Sequence, residues 1–238
     1  MDTSHEPRTT IGVGTYSLRD AALILRLPFG KLRRWAAGYW YSASDEDRFS
    51  AAVVPGEADE MDERILSFSE LMELAIVGFY RGEGVSMPVI RAARVQAQKL
   101  FGTVYPFATE RLGTDGRGIF ADLPEVGGVP FDRLKIELSK SQITYSELVE
   151  PFFRKNLDFG DDGLASTYWP LGRGTPVLLD ARRSFGRPIV DRNGTPTFVL
   201  FQMRKSGEAI ERIAAWYDLT TDELKSALEY EEHLRTAA

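Results

Sequence analysis

Apolar positions in this chain follow helical spacing near both ends and in a central stretch, with short alternating runs between them. Leu18, Ala21, Ala22 and Leu25 form the first helical face. Ser17, three positions before Asp20, predicts a cap on its start, because a serine hydroxyl accepts from a free backbone N–H at the positive helix end. Leu27-Pro28 interrupts the pattern. A second short helix, about Gly30 to Ala37, then places Leu32, Trp35 and Ala36 on one side before Gly38. The two together predict a helix-turn-helix.

Ser67-Phe68-Ser69-Glu70 repeats the capping pattern ahead of Leu71, Leu74, Ala75 and Phe79, and Pro88 suits the first turn of the helix carrying Val89, Ala93, Ala97 and Leu100. Tyr105 to Leu112 and Gly118 to Leu123, around Thr114-Asp115-Gly116, predict two strands and a tight turn. Gly127-Gly128-Val129-Pro130 marks a boundary. Beyond it, Leu134 to Leu138 alternates like a strand and Tyr145 to Lys155 reads as a helix strained by Pro151. Asp161-Asp162-Gly163 predicts a hairpin. Val177 to Leu179, Pro188 to Val190 and Phe198 to Phe201 are short apolar runs of buried-strand type, with Asn193-Gly194 as a turn. Gly186 and Gly194 are placed for positive φ. Two helices close the chain, one opened by Ser206 and one capped at Thr220 with Glu223 three positions on. Trp216, Tyr217, Leu228 and Tyr230 on this pair offer a surface for a protein partner.

Composition narrows the chemistry. With 238 residues, 43% of them hydrophobic, the chain has material for one large or two small domains at ~150 residues per domain. There is no cysteine, and the two histidines, His5 and His233, lie near opposite ends, which disfavours thiolate zinc sites and histidine-based catalysis. No cofactor or metal is expected, nor an enzyme. Paired acids such as Asp161-Asp162 read as turn residues. No apolar run reaches the ~18 residues of a membrane helix, and no secretory signal opens the chain, so a cytoplasmic protein is expected.

The net charge of −6 conceals alternation along the chain. Thr15 to Ser44 holds Arg19, Arg26, Lys31, Arg33 and Arg34 against Asp20 alone. Asp45 to Glu73 holds ten acids against Arg48 and Arg64, and Arg81 to Arg117 is positive again.

Tyr16 to Ala22, Leu25, Leu27-Pro28, Leu32-Arg33-Arg34-Trp35 and Gly38, then Phe68-Ser69, Leu71 to Phe79 and Gly84 to Arg91, resemble the helix-turn-helix region of the MerR transcription-factor family. The resemblance implies a winged helix-turn-helix that binds DNA through Ser17, Arg19, Phe29, Lys31, Arg33, Arg34, Arg111 and Arg117. The acidic stretch from Ala43 to Glu63 lies where that family carries its wing, and acids beside phosphates oppose binding. Leu178-Leu179-Asp180, Arg182 to Val190, Gly194-Thr195-Pro196-Thr197, Ser206 to Ile210 and the two-helix ending resemble the domain of unknown function 433 family. Members of that family are commonly VapB-type antitoxins, which implies a PIN-domain ribonuclease toxin as partner, operator DNA for autoregulation and a homodimer. Arg182, Arg183, Phe185, Arg187, Arg192, Phe198 and Arg204 are the candidate toxin contacts, since a guanidinium can pair with the acids that hold a nuclease's Mg²⁺. The alternative is a stand-alone MerR-like dimeric regulator.

The expected fold is mainly α with short β-hairpins. It comprises a MerR-like winged helix-turn-helix over 1–126, a connector of strand, helix and hairpin over 127–176, and a small helical antitoxin domain over 177–238.

Overall fold

The computed structural model describes residues 14–43, 46–54, 64–114 and 145–236. Arg117, the boundary at Gly127, and the strands expected over Gly118 to Leu123 and Leu134 to Leu138 lie outside the described residues.

The fold is mainly helical with small antiparallel sheets. Strand β1 (Thr15–Ser17) pairs with β4 (Ile65–Ser67), and each runs directly into a helix, α1 (Leu18–Ile24) and α3 (Phe68–Gly82). Both junctions are capped as the serine spacing predicts. Ser17 accepts from the Asp20 N–H at 3.1 Å, and Ser67 and Glu70 form a reciprocal capping box. Helix α2 (Phe29–Ala37) follows α1 after a four-residue turn. The chain then forms a hairpin of β2 (Tyr39–Ala43) and β3 (Glu46–Ser50). The acidic stretch at the position of the MerR family's wing therefore begins as paired strand, with Trp40 opposite Phe49 and Tyr41 opposite Arg48.

Helix α3 is buried on nearly every side, packing Leu71, Leu74, Ile76 and Tyr80 beneath α4 (Met87–Phe101). That burial encloses Glu73, which reaches Arg94 of α4 through a short ion pair and accepts from the Phe107 N–H at 2.5 Å. One departure from the sequence follows here. Tyr105 to Leu112 is not a strand but a run of turns ending in the one-turn helix α5 (Arg111–Thr114): its backbone closes on itself, Ala108 N–H to Tyr105 C=O and Leu112 N–H to Thr109 C=O, both at 3.1 Å, while Glu73 takes the Phe107 N–H. Only Thr109 bridges to another segment, at Leu164.

Helix α6 (Tyr145–Asn156), with Pro151 inside it, leads to a four-stranded antiparallel sheet in sequence order: β5 (Leu157–Phe159), β6 (Ala165–Tyr168), β7 (Val177–Asp180) and β8 (Pro188–Val190). Asp161 to Gly163 turns β5 into β6, and Gly163 has φ 72°. The connector thus supplies two strands to the sheet completed by the carboxy-terminal segment. Phe198 to Phe201, expected as a buried strand, lies in helix α7 (Thr197–Lys205). Its apolar residues are dense enough to imitate a strand, but only Leu200 of the four is fully buried, and Arg235 stacks over the Phe198 and Phe201 rings. Ser206 and Gly207 close α7 rather than opening the next helix, α8 (Ile210–Trp216), which starts after Ala209. Thr220 caps α9 (Thr221–Thr236), its hydroxyl accepting from the Glu223 N–H at 3.2 Å.

Two cores result. The larger joins α1 to α4 with Val149, Phe153, Leu157, Tyr168 and Leu179, and the smaller packs Val177, Val190 and Leu200 against Ile213, Leu224 and Tyr230. Leu228 and Tyr230 are therefore internal, and of the four residues expected to form a partner surface only Trp216 is fully exposed. Among the described residues no helix is long and apolar enough to cross a membrane.

Replacing one member of the Glu73–Arg94 pair strands a buried charge. Glu73→Ala or Arg94→Ala is expected to cost about 3–5 kcal/mol in urea unfolding, and the combined Glu73→Leu, Arg94→Met change less than the sum of the two.

Candidate functional site

The connection between β7 and β8 carries most of the arginines singled out in the sequence. It contains one turn of left-handed backbone, with φ 49° at Ser184, 55° at Phe185 and 73° at Gly186. A non-glycine residue held there costs of order 1–3 kcal/mol, and two in succession persist only where the surroundings enforce them. Those surroundings are visible. Gly186 N–H donates to Arg183 C=O at 2.9 Å, and the Tyr16 hydroxyl donates to Gly186 C=O at 2.7 Å. A Cβ on Gly186 would overlap the Tyr16 hydroxyl, so glycine is required by space as well as by φ. Burial, with the Asp180 carboxylate next in weight, pushes the Tyr16 phenol far above its ordinary pKa and keeps it a protonated donor.

The outcome is an aromatic ring held outward: Phe185 is 72% exposed. Arg182 and Arg187 flank it, both exposed and neither in an ion pair among the described residues. The other candidate arginines are tied inward. Arg183 lies between Asp180 and Asp191 and donates to the Asp191 carbonyl at 3.0 Å. Arg192 reaches Glu223 of α9 at 3.5 Å, and Arg204 donates to Glu208 C=O at 3.1 Å. Phe198 and Arg187 share the wall of a groove of about 720 Å³, whose opposite side is Tyr16, Leu23 and Ile24. The groove lies between the amino-terminal helices and α7 and α9.

The amino-terminal candidates divide in the same way. Ser17 is occupied as a cap, donating to the Asp20 carboxylate at 2.7 Å. Arg19 lies 5.2 Å over the Phe29 ring, and Arg111 lies 4.7 Å over Phe101, whose carbonyl it also contacts. Lys31, Arg33 and Arg34 remain exposed on α2. Lys31 and Arg34 join Arg81 of α3 and Arg91 of α4, with Trp35 and Tyr39, around a cleft of about 360 Å³ whose lining contains no carboxylate. Arg34 stacks on Tyr39, Arg81 donates to Val85 C=O, and Arg91 holds Ser50 and Ala51, so all four stay uncompensated by acids among the described residues. Arg81 and Arg91 stood in the second basic stretch of the sequence, but only the packing of α3 and α4 on α2 brings them to this cleft. Among the described residues no cluster of three or more acidic or histidine side chains could hold a metal ion.

The comparisons with known proteins bear on the β7-to-α9 segment first. Residues 177–230 match the model of the family described as "Protein of unknown function (DUF433)". Over 230 residues the chain is 28% identical to a protein of Mycobacterium tuberculosis named "Putative antitoxin VapB45", spanning 91% of this chain and 93% of that one. It is 24% identical to "Uncharacterized protein Rv2308" of the same organism, over 93% of this chain and 92% of the other. The crystal structure of Rv2018 from Mycobacterium tuberculosis superposes with a TM-score of 0.68 at 25% identity, covering 90% of this chain and 96% of that one. The similarity to the antitoxin-named relative and to Rv2018 thus extends well beyond the DUF433 segment.

An exposed ring displayed at the expense of backbone strain contributes little to folding. Phe185→Ala is expected to leave the unfolding free energy within about 0.5 kcal/mol of wild type, whereas Gly186→Ala, forced against Tyr16, lowers it by more than about 1 kcal/mol in the same thermal melt.

Proposed function

We propose that the chain is the antitoxin of a type II toxin-antitoxin module. The DUF433 unit binds and neutralises a PIN-domain ribonuclease, and the amino-terminal, MerR-like half binds operator DNA for autoregulation. The similarity to a relative named as an antitoxin supports the general role. The observation that carries the docking face is the strained turn presenting Phe185 between Arg182 and Arg187, neither of which has an ion pair among the described residues, since sparsely populated backbone conformations concentrate at functional sites. A PIN-type nuclease holds Mg²⁺ among carboxylates. A guanidinium entering that pocket forms charge-assisted, two-pronged hydrogen bonds with the same oxygens and excludes the metal. Arg182 and Arg187 are the candidates for this role, because Arg183, Arg192 and Arg204 are engaged within the chain. Phe185 fills an apolar hollow beside the pocket, the kind of aromatic anchor on which interfaces depend. The protein acts in the cytoplasm as a homodimer and carries out no chemistry of its own.

The uncompensated cationic cleft beside α2 favours DNA as the second partner, and alone it also supports the reading of a stand-alone dimeric regulator. The two readings separate on the nuclease.

In a ribonuclease assay with the product of the adjacent reading frame, wild-type chain is expected to abolish cleavage, and Arg182→Ala with Arg187→Ala to weaken inhibition by tenfold or more, on the order of 1.4 kcal/mol. Arg204→Ala leaves inhibition intact. Undiminished inhibition by the double variant contradicts the arginine mechanism, and no inhibition by wild type leaves the regulator. For the DNA half, neutralising about four phosphates predicts on the order of a hundredfold loss of affinity for the chain's own upstream DNA between 50 mM and 200 mM salt. Salt-independent binding contradicts it.

A further inference from the structure

The strained turn lies in the carboxy-terminal segment, yet the group that fixes it comes from the other end of the chain. Tyr16 is buried in the larger core beside β4, 170 positions from the carbonyl it holds. Its neighbour Ser17 caps α1, so the residue is anchored on both sides by the amino-terminal unit. Within the carboxy-terminal segment the turn has two backbone hydrogen bonds, Gly186 N–H to Arg183 C=O and Arg187 N–H to Ser184 C=O, and a long contact from the Ser184 hydroxyl to Gly194 C=O at 3.4 Å. None of these requires positive φ at Phe185. The Tyr16 hydroxyl and Gly14, whose backbone closes against Gly186, hold the turn from outside, abutting Gly186 where a Cβ would project.

We propose that Tyr16 is the positioning residue of the docking face: its hydroxyl, through the Gly186 carbonyl, holds the left-handed turn that presents Phe185 to a protein partner. The proposal rests on the docking reading above and adds a division of labour to it. The amino-terminal unit is required for the carboxy-terminal contact surface to have its binding shape.

The test uses the full chain. Native-state chymotrypsin cleavage between Phe185 and Gly186 reports how often the turn opens, and cleavage after the exposed Trp216 serves as an internal control. Tyr16→Phe keeps the ring in the core and removes the donor. Cleavage at Phe185 is expected to accelerate about fivefold to tenfold, as losing one hydrogen bond predicts, with the Trp216 rate unchanged. Gly186→Ala, which breaks the same contact from the other side, is expected to do likewise. Equal Phe185 rates in wild type and both variants, or equal acceleration at both cleavage sites, would overturn the proposal. A second arm measures binding to the nuclease product of the adjacent reading frame. Tyr16→Phe weakens binding, and the loss disappears in a Phe185→Ala background, because Tyr16 acts through that ring. Additive losses point to a merely structural role and refute the proposal. A nuclease that binds none of these proteins removes the docking reading, and the cleavage rates then decide the role of Tyr16.

Discussion

The Tyr16 hydroxyl, carried into the larger core, donates to the Gly186 carbonyl from the far end of the chain. Much of the local architecture centres on this contact. There the β7–β8 connection meets β1, a side chain at position 186 is excluded, and the groove opens between α1 and the α7–α9 bundle. The sheet reinforces the same union, since β5 and β6 pack on the larger core, β7 gives Leu179 to the larger and Val177 to the smaller, and β8 gives Val190 to the smaller. Phe185 is exposed because the backbone around it has been committed elsewhere.

Charge is distributed with similar economy. The chain is acidic overall, yet a cationic concavity forms where three helices converge, and the described acids of β3 stay outside its lining. Inside the larger core the Glu73–Arg94 pair has the opposite role. Completed by the Phe107 N–H and the Val104 carbonyl, it fixes how α3, α4 and the segment after α4 meet. A buried pair of this kind is weak evidence for net stability, and its observable effect is to tie these three segments together. The cleft depends on that arrangement, because Arg81 and Arg91 reach it from α3 and α4.

Much of the fold was legible in the sequence wherever the determining interaction is local. The caps at Ser17, Ser67 and Thr220 each need only an acid three positions on. The positive φ of Gly194 and the Asp161–Gly163 turn are likewise local, whereas at Gly186 the glycine signals a positive φ but the group that abuts it, Tyr16, lies 170 positions away. What escaped depends on distant partners. Tyr105 to Leu112 looks like a strand, yet its backbone closes into turns where Glu73 of α3 holds the Phe107 N–H. Phe198 to Phe201 has the composition of a strand and the packing of a helix flank. Tyr230 and Leu228 looked like spare surface because nothing local says that α7 covers them. At the candidate site the sequence supplied the arginines but not their engagements, and no periodicity announces that Tyr16 meets Gly186.

The central claim, that this chain works by presenting the β7–β8 turn to another macromolecule, is tested most directly by hydrogen exchange on the full chain with and without the nuclease encoded beside it. Slowed exchange concentrated at residues 182–187 and along the groove wall of α7 is the result the account predicts. Protection confined to strands Tyr39–Ala43 and Glu46–Ser50, with the turn unaffected, would contradict it.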